Sequence, residues 1–189
     1  MKRAGYVLVA LLLLVAAVAI HRRQPAINRA TFFTFDSVVN LQGVCPPGEW
    51  DALVTRTRAM LAAIDRDLAR DGGGFTARAN ALPRAAVPVP VELRDALRFA
   101  DELHRASGGA FDPTILPLLD AYGLWGESFP LRPPASAAVR ALLPRIGWSR
   151  HAMLTDSTLQ VAAGSMVFFG ALAEGYALER VAELWRGGG

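Results

Sequence analysis

No stretch of this chain limits the backbone more than Ser107–Thr114, which reads SGGAFDPT. Gly108 and Gly109 stop a helix, because glycine accepts the left-handed geometry of a helix C-terminus and has no Cβ to keep another group at a distance. Pro113 holds Asp112 in an extended or turn conformation and so restricts where its carboxylate points. Two readings follow from the residues alone. One is a helix cap followed by an Asp-Pro turn. The other is a carboxylate on a rigid loop beside bare backbone, suited to touch a ligand.

The chain on either side divides into helices and short extended pieces. Thr31 to Leu41, TFFTFDSVVNL, is β-branched and aromatic, which predicts one well-buried strand. Pro46-Pro47-Gly48 breaks it and opens a helix, with Trp50, Leu53, Val54, Met60, Leu61, Ile64 and Leu68 on one stripe. Asp71-Gly72-Gly73-Gly74 ends that helix. Leu82 to Pro90 carries three prolines and reads as extended or irregular. A second amphipathic helix follows, with Leu93, Ala96, Leu97, Ala100 and Leu103 on one side. After a proline-rich loop at 130–134, Ser136 is placed to cap a short helix. Met153–Thr155 and Leu159–Val161 read as two strands around a turn. A third long helix starts near Gly170, with Leu172, Tyr176, Val181, Leu184 and Trp185 as core candidates. Helices and strands intermix without a regular βαβ rhythm, so the class is α/β (α+β).

Charge and cysteine usage exclude several functions. Residues 1–23 hold Lys2, Arg3, Arg22 and Arg23 and no acid, so removing those 4 from 20 Lys+Arg leaves 16 against 17 Asp+Glu. The body is near neutral and has no basic run with interleaved aromatics, which argues against nucleic acid. Cys45 is the only cysteine, which excludes an internal disulfide and a multi-cysteine metal site. His21, His104 and His151 share no metal-ligand spacing and read as scattered surface or core histidines. Gly72–Gly74 lacks the Lys-Ser or Lys-Thr of a phosphate loop.

The uncharged run Gly5–Ile20 behind Lys2 and Arg3 is either the core of a signal peptide or a short membrane anchor. Residues 1–23 are therefore read as leader or anchor, 24–30 as linker and 31–189 as the folded domain. The basic tip predicts delivery of that domain across the membrane, to the periplasm or the outer face of the inner membrane.

Four segments in one order bring a family into view. Ser107–Thr114, followed by Leu118 and Tyr122-Gly123-Leu124-Trp125-Gly126, resembles the most recognisable segment of the FAD:protein FMN transferases, the ApbE family. Thr34–Val39 takes the place of that family's opening strand, Ile64–Asn80 its helix and loop ending in asparagine, and Gly170–Val181 its later helix start. The resemblance implies a T-fold-like architecture, here stopping at Gly189, about where the third long helix ends. It implies Mg²⁺-dependent transfer of FMN from FAD to a threonine of an exported acceptor flavoprotein. A threonine hydroxyl attacks the pyrophosphate and AMP leaves. It places FAD on Ala110, Phe111 and Asp112, with Phe35 and Glu174 at two further cofactor-binding positions, and a carbonyl metal ligand at Ala171. It singles out no catalytic residue.

The departures define the alternatives. The family's Met-Gly-Thr reads Phe35-Asp36-Ser37, an acidic position reads Phe168, and a lysine position reads Glu174. A carboxylate at Glu174 repels pyrophosphate unless a metal intervenes. A non-catalytic relative that binds flavin or a partner, or a fragment of a longer enzyme, are the alternatives to an active transferase.

Overall fold

The computed structural model describes residues 13–15, 27–124 and 133–187. Most of residues 1–23, where a leader or anchor is expected and His21 lies, and much of the proline-rich loop lie outside the described residues. Among those described, no helix is long and apolar enough to cross a membrane. The chain forms two units, Met1–Arg56 and Thr57–Gly189.

In the first unit, strands β1 (Asn28–Thr34) and β2 (Ser37–Gly43) pair antiparallel, from Asn28↔Gly43 to Thr34↔Ser37. The single buried strand expected over Thr31–Leu41 is thus a hairpin. Its turn is Phe35-Asp36, at φ 53° and 52°. Two successive left-handed residues match the twist of paired strands, a geometry usually announced by Asn-Gly or Asp-Gly. Phe33 and Val38, partners in the register, are exposed rather than buried. Helix α1 (Pro47–Leu68) begins here, its first turn receiving the Glu49 and Trp50 N–H groups on the Pro46 carbonyl.

The second unit continues α1 and adds α2 (Phe75–Ala81), β3 (Val87–Pro88), α3 (Arg94–Ala106) and α4 (Leu116–Ala121). Then come α5 (Ser136–Leu142), α6 (Trp148–His151), β4 (Ala152–Leu154), β5 (Thr158–Val161) and α7 (Gly170–Arg186). The three strands form an antiparallel sheet ordered β3-β5-β4. Phe75, Leu93, Leu97, Leu116, Leu159, Val167 and Phe169 are all buried and make the core. The stripe expected on α1 is buried at Leu61, Ile64 and Leu68, and that on α3 at Ala96, Leu97 and Ala100.

Two short helices departed from expectation. α2 hides behind the glycine run: a Cβ on Gly74 would lie 1.8 Å from the Arg66 carbonyl oxygen, so glycine lets the chain fold back on the end of α1. Ser136 is the first residue of α5 and caps nothing; Ala135 holds the N-cap position without a side-chain bond. On α7 the buried residues are Leu172, Ala173 and Ala177, while Tyr176, Val181, Leu184 and Trp185 are only half-buried. The Trp185 indole N–H donates to the buried Thr57 hydroxyl at 3.0 Å, tying α7 to α1 within this unit.

Candidate functional site

The loop after α3 is wound tightly on its own backbone. Gly108 and Gly109 have φ of 62° and 86°, and their N–H groups donate to the carbonyls of Arg105 and His104. The Ser107 hydroxyl donates to the His104 carbonyl and accepts the Phe111 N–H at 3.0 Å.

Asp112 sits at the centre of the next layer. Its Oδ1 accepts the Thr114 N–H at 2.8 Å and the Thr114 hydroxyl at 2.5 Å, and its Oδ2 accepts the Trp148 N–H at 3.0 Å. Thr114 Oγ1 in turn accepts the Gly147 N–H at 2.8 Å. The carboxylate expected to face a ligand therefore spends its oxygens holding the loop to the start of α6. The indole of Trp148 is buried, donates to Asp101 Oδ1 at 2.9 Å and meets Phe169 edge-on at 6.1 Å.

His104 underpins the same loop, and nothing in the residue spacing had marked it. It is buried on α3, with Nδ1 2.9 Å from the Phe111 carbonyl and 3.7 Å from Asp112 Oδ2. A carbonyl only accepts, so Nδ1 carries the proton. Nε2, 3.0 Å from Ser149 Oγ, is then the acceptor in the neutral ring.

Behind the loop lies a cavity of about 370 Å³ lined by Ala110, Phe111, Asp112, Ile115, Leu119, Leu124, Phe168 and Ala171. Its far wall is held by Asn80, whose amide bonds Val167 twice, donating to the carbonyl at 2.9 Å and accepting the N–H at 2.7 Å. The next residue, Phe168, donates its N–H to the Pro113 carbonyl at 2.7 Å, closing that wall onto the Asp112 loop. At the start of α7, a Cβ on Gly170 would strike the Phe168 ring at 2.1 Å. Four predicted site residues, Ala110, Phe111, Asp112 and Ala171, thus share one cavity. Glu174 is exposed on α7 and does not line it. Phe35 occupies the hairpin turn of the first unit.

The family model that describes the ApbE family matches residues 36–189. The chain belongs to the ApbE family. Its fold agrees with solved ApbE structures. The Pseudomonas stutzeri flavinyl transferase ApbE in its apo form has 25% identity and a TM-score of 0.76 over 87% of this chain and 54% of that one. The Vibrio cholerae flavin transferase ApbE has 19% identity and a TM-score of 0.78, over 86% and 54%. The Thermotoga maritima ApbE protein has 20% identity and a TM-score of 0.76, over 84% and 52%. This chain thus spans about half the length of these solved relatives. No curated protein shows a significant match to its sequence.

Two ligand questions follow for this ApbE chain. The Asp112 N–H and the Ala110 carbonyl have no hydrogen-bond partner among the described residues, and both residues line the cavity. Magnesium, which the family resemblance implies, does not fit the donors present. The Asp112 carboxylate already accepts three protein donors. Ala171 lies in the first turn of α7, where a helical carbonyl is directed to the N–H four residues on. No group of three or more His, Cys, Asp or Glu that could hold a metal occurs among the described residues.

Proposed function

We propose that the cavity between the Asp112 loop and the start of α7 binds the isoalloxazine ring of FAD, and that the chain serves transfer of FMN to a threonine of an exported flavoprotein. The observation that carries this is the lining: Phe111, Ile115, Leu119, Leu124 and Phe168 supply apolar surface, with Ala110 and Asp112 beside them. A flat heteroaromatic ring with an imide edge needs that combination, apolar walls for area and a few placed polar groups for orientation. The names of the solved relatives from P. stutzeri and V. cholerae, flavinyl and flavin transferases, support the same ligand.

In the transfer, the threonine oxygen bonds to the FMN phosphorus, the bond from that phosphorus to the AMP oxygen breaks, and the hydroxyl proton leaves to a base. What this chain's residues do is earlier: Phe111 and Phe168 seat the ring, while the Ala110 carbonyl and the Asp112 N–H orient it. Positioning is the larger part of phosphoryl-transfer catalysis. No step is assigned to magnesium. The apolar run Gly5–Ile20 behind Lys2 and Arg3 supports an exported protein, in the periplasm or on the outer face of the inner membrane.

Incubation of the full chain with FAD and a threonine-bearing acceptor tests the transfer. A gain of one FMN on the acceptor by intact mass, with AMP released, is the expected result. A second reading, flavin binding without transfer, is favoured by the Asp112 carboxylate being occupied by Thr114 and Trp148. Saturable FAD binding without AMP release selects it.

A further inference from the structure

We infer that Ser149 is a nucleophile activated by His104, able to take an acyl group from an activated ester. Neither residue is among those lining the cavity beside the Asp112 loop, so the inference stands apart from what that cavity binds. Ser149 is exposed at the second residue of α6, and its hydroxyl lies 3.0 Å from His104 Nε2. His104 is buried and donates from Nδ1 to the Phe111 carbonyl at 2.9 Å. That bond fixes the tautomer, so Nε2 carries a lone pair and the Ser149 hydroxyl donates to it. A hydroxyl within reach of a base, with the base oriented by a third group, is the arrangement that activates serine in unrelated folds. Here the third group is a backbone carbonyl. Asp112 Oδ2, 3.7 Å from Nδ1, adds the negative charge that favours an imidazolium once the proton has moved.

Both partners are held in place before any substrate arrives. Trp148, next to Ser149, is fastened by its backbone N–H to Asp112 Oδ2 and by its indole N–H to Asp101 Oδ1. Imidazole and hydroxyl therefore meet in a fixed geometry, which lowers the entropic part of the barrier. In the step, Ser149 Oγ bonds to the ester carbonyl carbon and its proton passes to His104 Nε2. The bond from that carbon to the alcohol oxygen breaks, and the leaving oxygen takes the proton from Nε2. Water then reverses the exchange. Its oxygen bonds to the acyl carbon, its proton passes through Nε2 to Ser149 Oγ, and a carboxylic acid leaves. An oxyanion donor adds about 10²–10³ in rate. With none assigned, the pair suits a carbonyl that needs little help and a leaving group that departs easily. The substrate class is a small aryl ester.

Treating the full chain with p-nitrophenyl acetate and mapping acetylated peptides by mass over time tests this. Ser149 should gain acetyl at least about tenfold faster than any other serine of the chain, and the preference should vanish when the chain is unfolded in urea. Ser149→Ala should lose the matching burst of p-nitrophenolate. His104→Asn keeps an amide N–H for the Phe111 carbonyl but has no base at the Nε2 position, so it should slow acylation of Ser149 about 100-fold. Ser149 reacting no faster than the other serines of the folded chain, or equally fast in His104→Asn, overturns the inference and leaves the pair as a structural bond between α3 and α6.

Discussion

The Asp112 carboxylate accepts the backbone N–H of Trp148 at 3.0 Å, so the loop that follows α3 is fastened to the first residue of α6. With its other oxygen the same group accepts both donors of Thr114. The side chain shapes the loop, and the loop then offers its backbone to the cavity. That division of labour makes the first two predictions.

Asp112→Ala removes three accepted bonds and leaves the Trp148 and Thr114 N–H groups without their partner. We expect a loss of about 3 kcal/mol in urea unfolding at an unchanged m-value, as for charged acceptors removed from a largely buried site. Flavin affinity should fall at least tenfold, because the Ala110–Asp112 backbone loses its posture. Asp112→Asn should lie between, since its remaining oxygen can still serve Thr114.

His104→Ala should weaken flavin binding about fivefold and cost about 1 kcal/mol of stability, through loss of the Nδ1 bond to the Phe111 carbonyl. His104→Asn places an amide N–H near the Nδ1 position and should recover most of the flavin affinity. A merely space-filling role would make alanine and asparagine alike in a fluorescence titration.

Gly170→Ala should separate binding from stability. The new Cβ would meet the Phe168 ring at 2.1 Å, and the ring must swing into the cavity space or away from it. Alanine also favours the helix by up to about 1 kcal/mol over glycine. Thermal unfolding should change little while flavin affinity drops, both read on one preparation.

Asn80→Ala should destabilise the protein by about 2 kcal/mol, because both backbone groups of Val167 lose their partner in a buried setting. Asn80→Asp should be no rescue. It keeps an acceptor for the Val167 N–H but sets a carboxylate oxygen against the Val167 carbonyl. Denaturant midpoints compare the three proteins.

Tyr176 supplies the pH test. Burial raises its phenol pKa above the usual 10.0, with Arg180 opposing, and its hydroxyl donates to the Glu92 carbonyl. A phenol harder to ionise when folded contributes stability that is fully present below the unfolded pKa and falls as pH rises above it. Urea midpoints should therefore decline above about pH 10, and Tyr176→Phe should decline less steeply over the same range.

Apolar periodicity made α1, α3 and α7 legible, because each buries one stripe and 3.6-residue spacing shows a stripe. The hairpin was not legible. Phe35-Asp36 takes left-handed conformations that sequence rules assign to glycine and asparagine, so two strands looked like one. α6 spans only Trp148–His151 and is too short to show any period. At the site, the glycines, Asp112 and Pro113 were visible as a constrained loop, and Ala171 joins them on the cavity. What the Asp112 carboxylate does was not visible, since Trp148 is 36 residues away and only tertiary packing brings it in. His104 went unmarked because its partner Phe111 lies in the loop after α3 and its partner Ser149 is brought in by the approach of α6 to α3.

A crystal structure of the protein with riboflavin tests the central claim most directly. The account predicts the ring against Phe111 and Phe168, with its imide edge about 2.8–3.2 Å from the Asp112 N–H and the Ala110 carbonyl. A ring bound outside this cavity would contradict it.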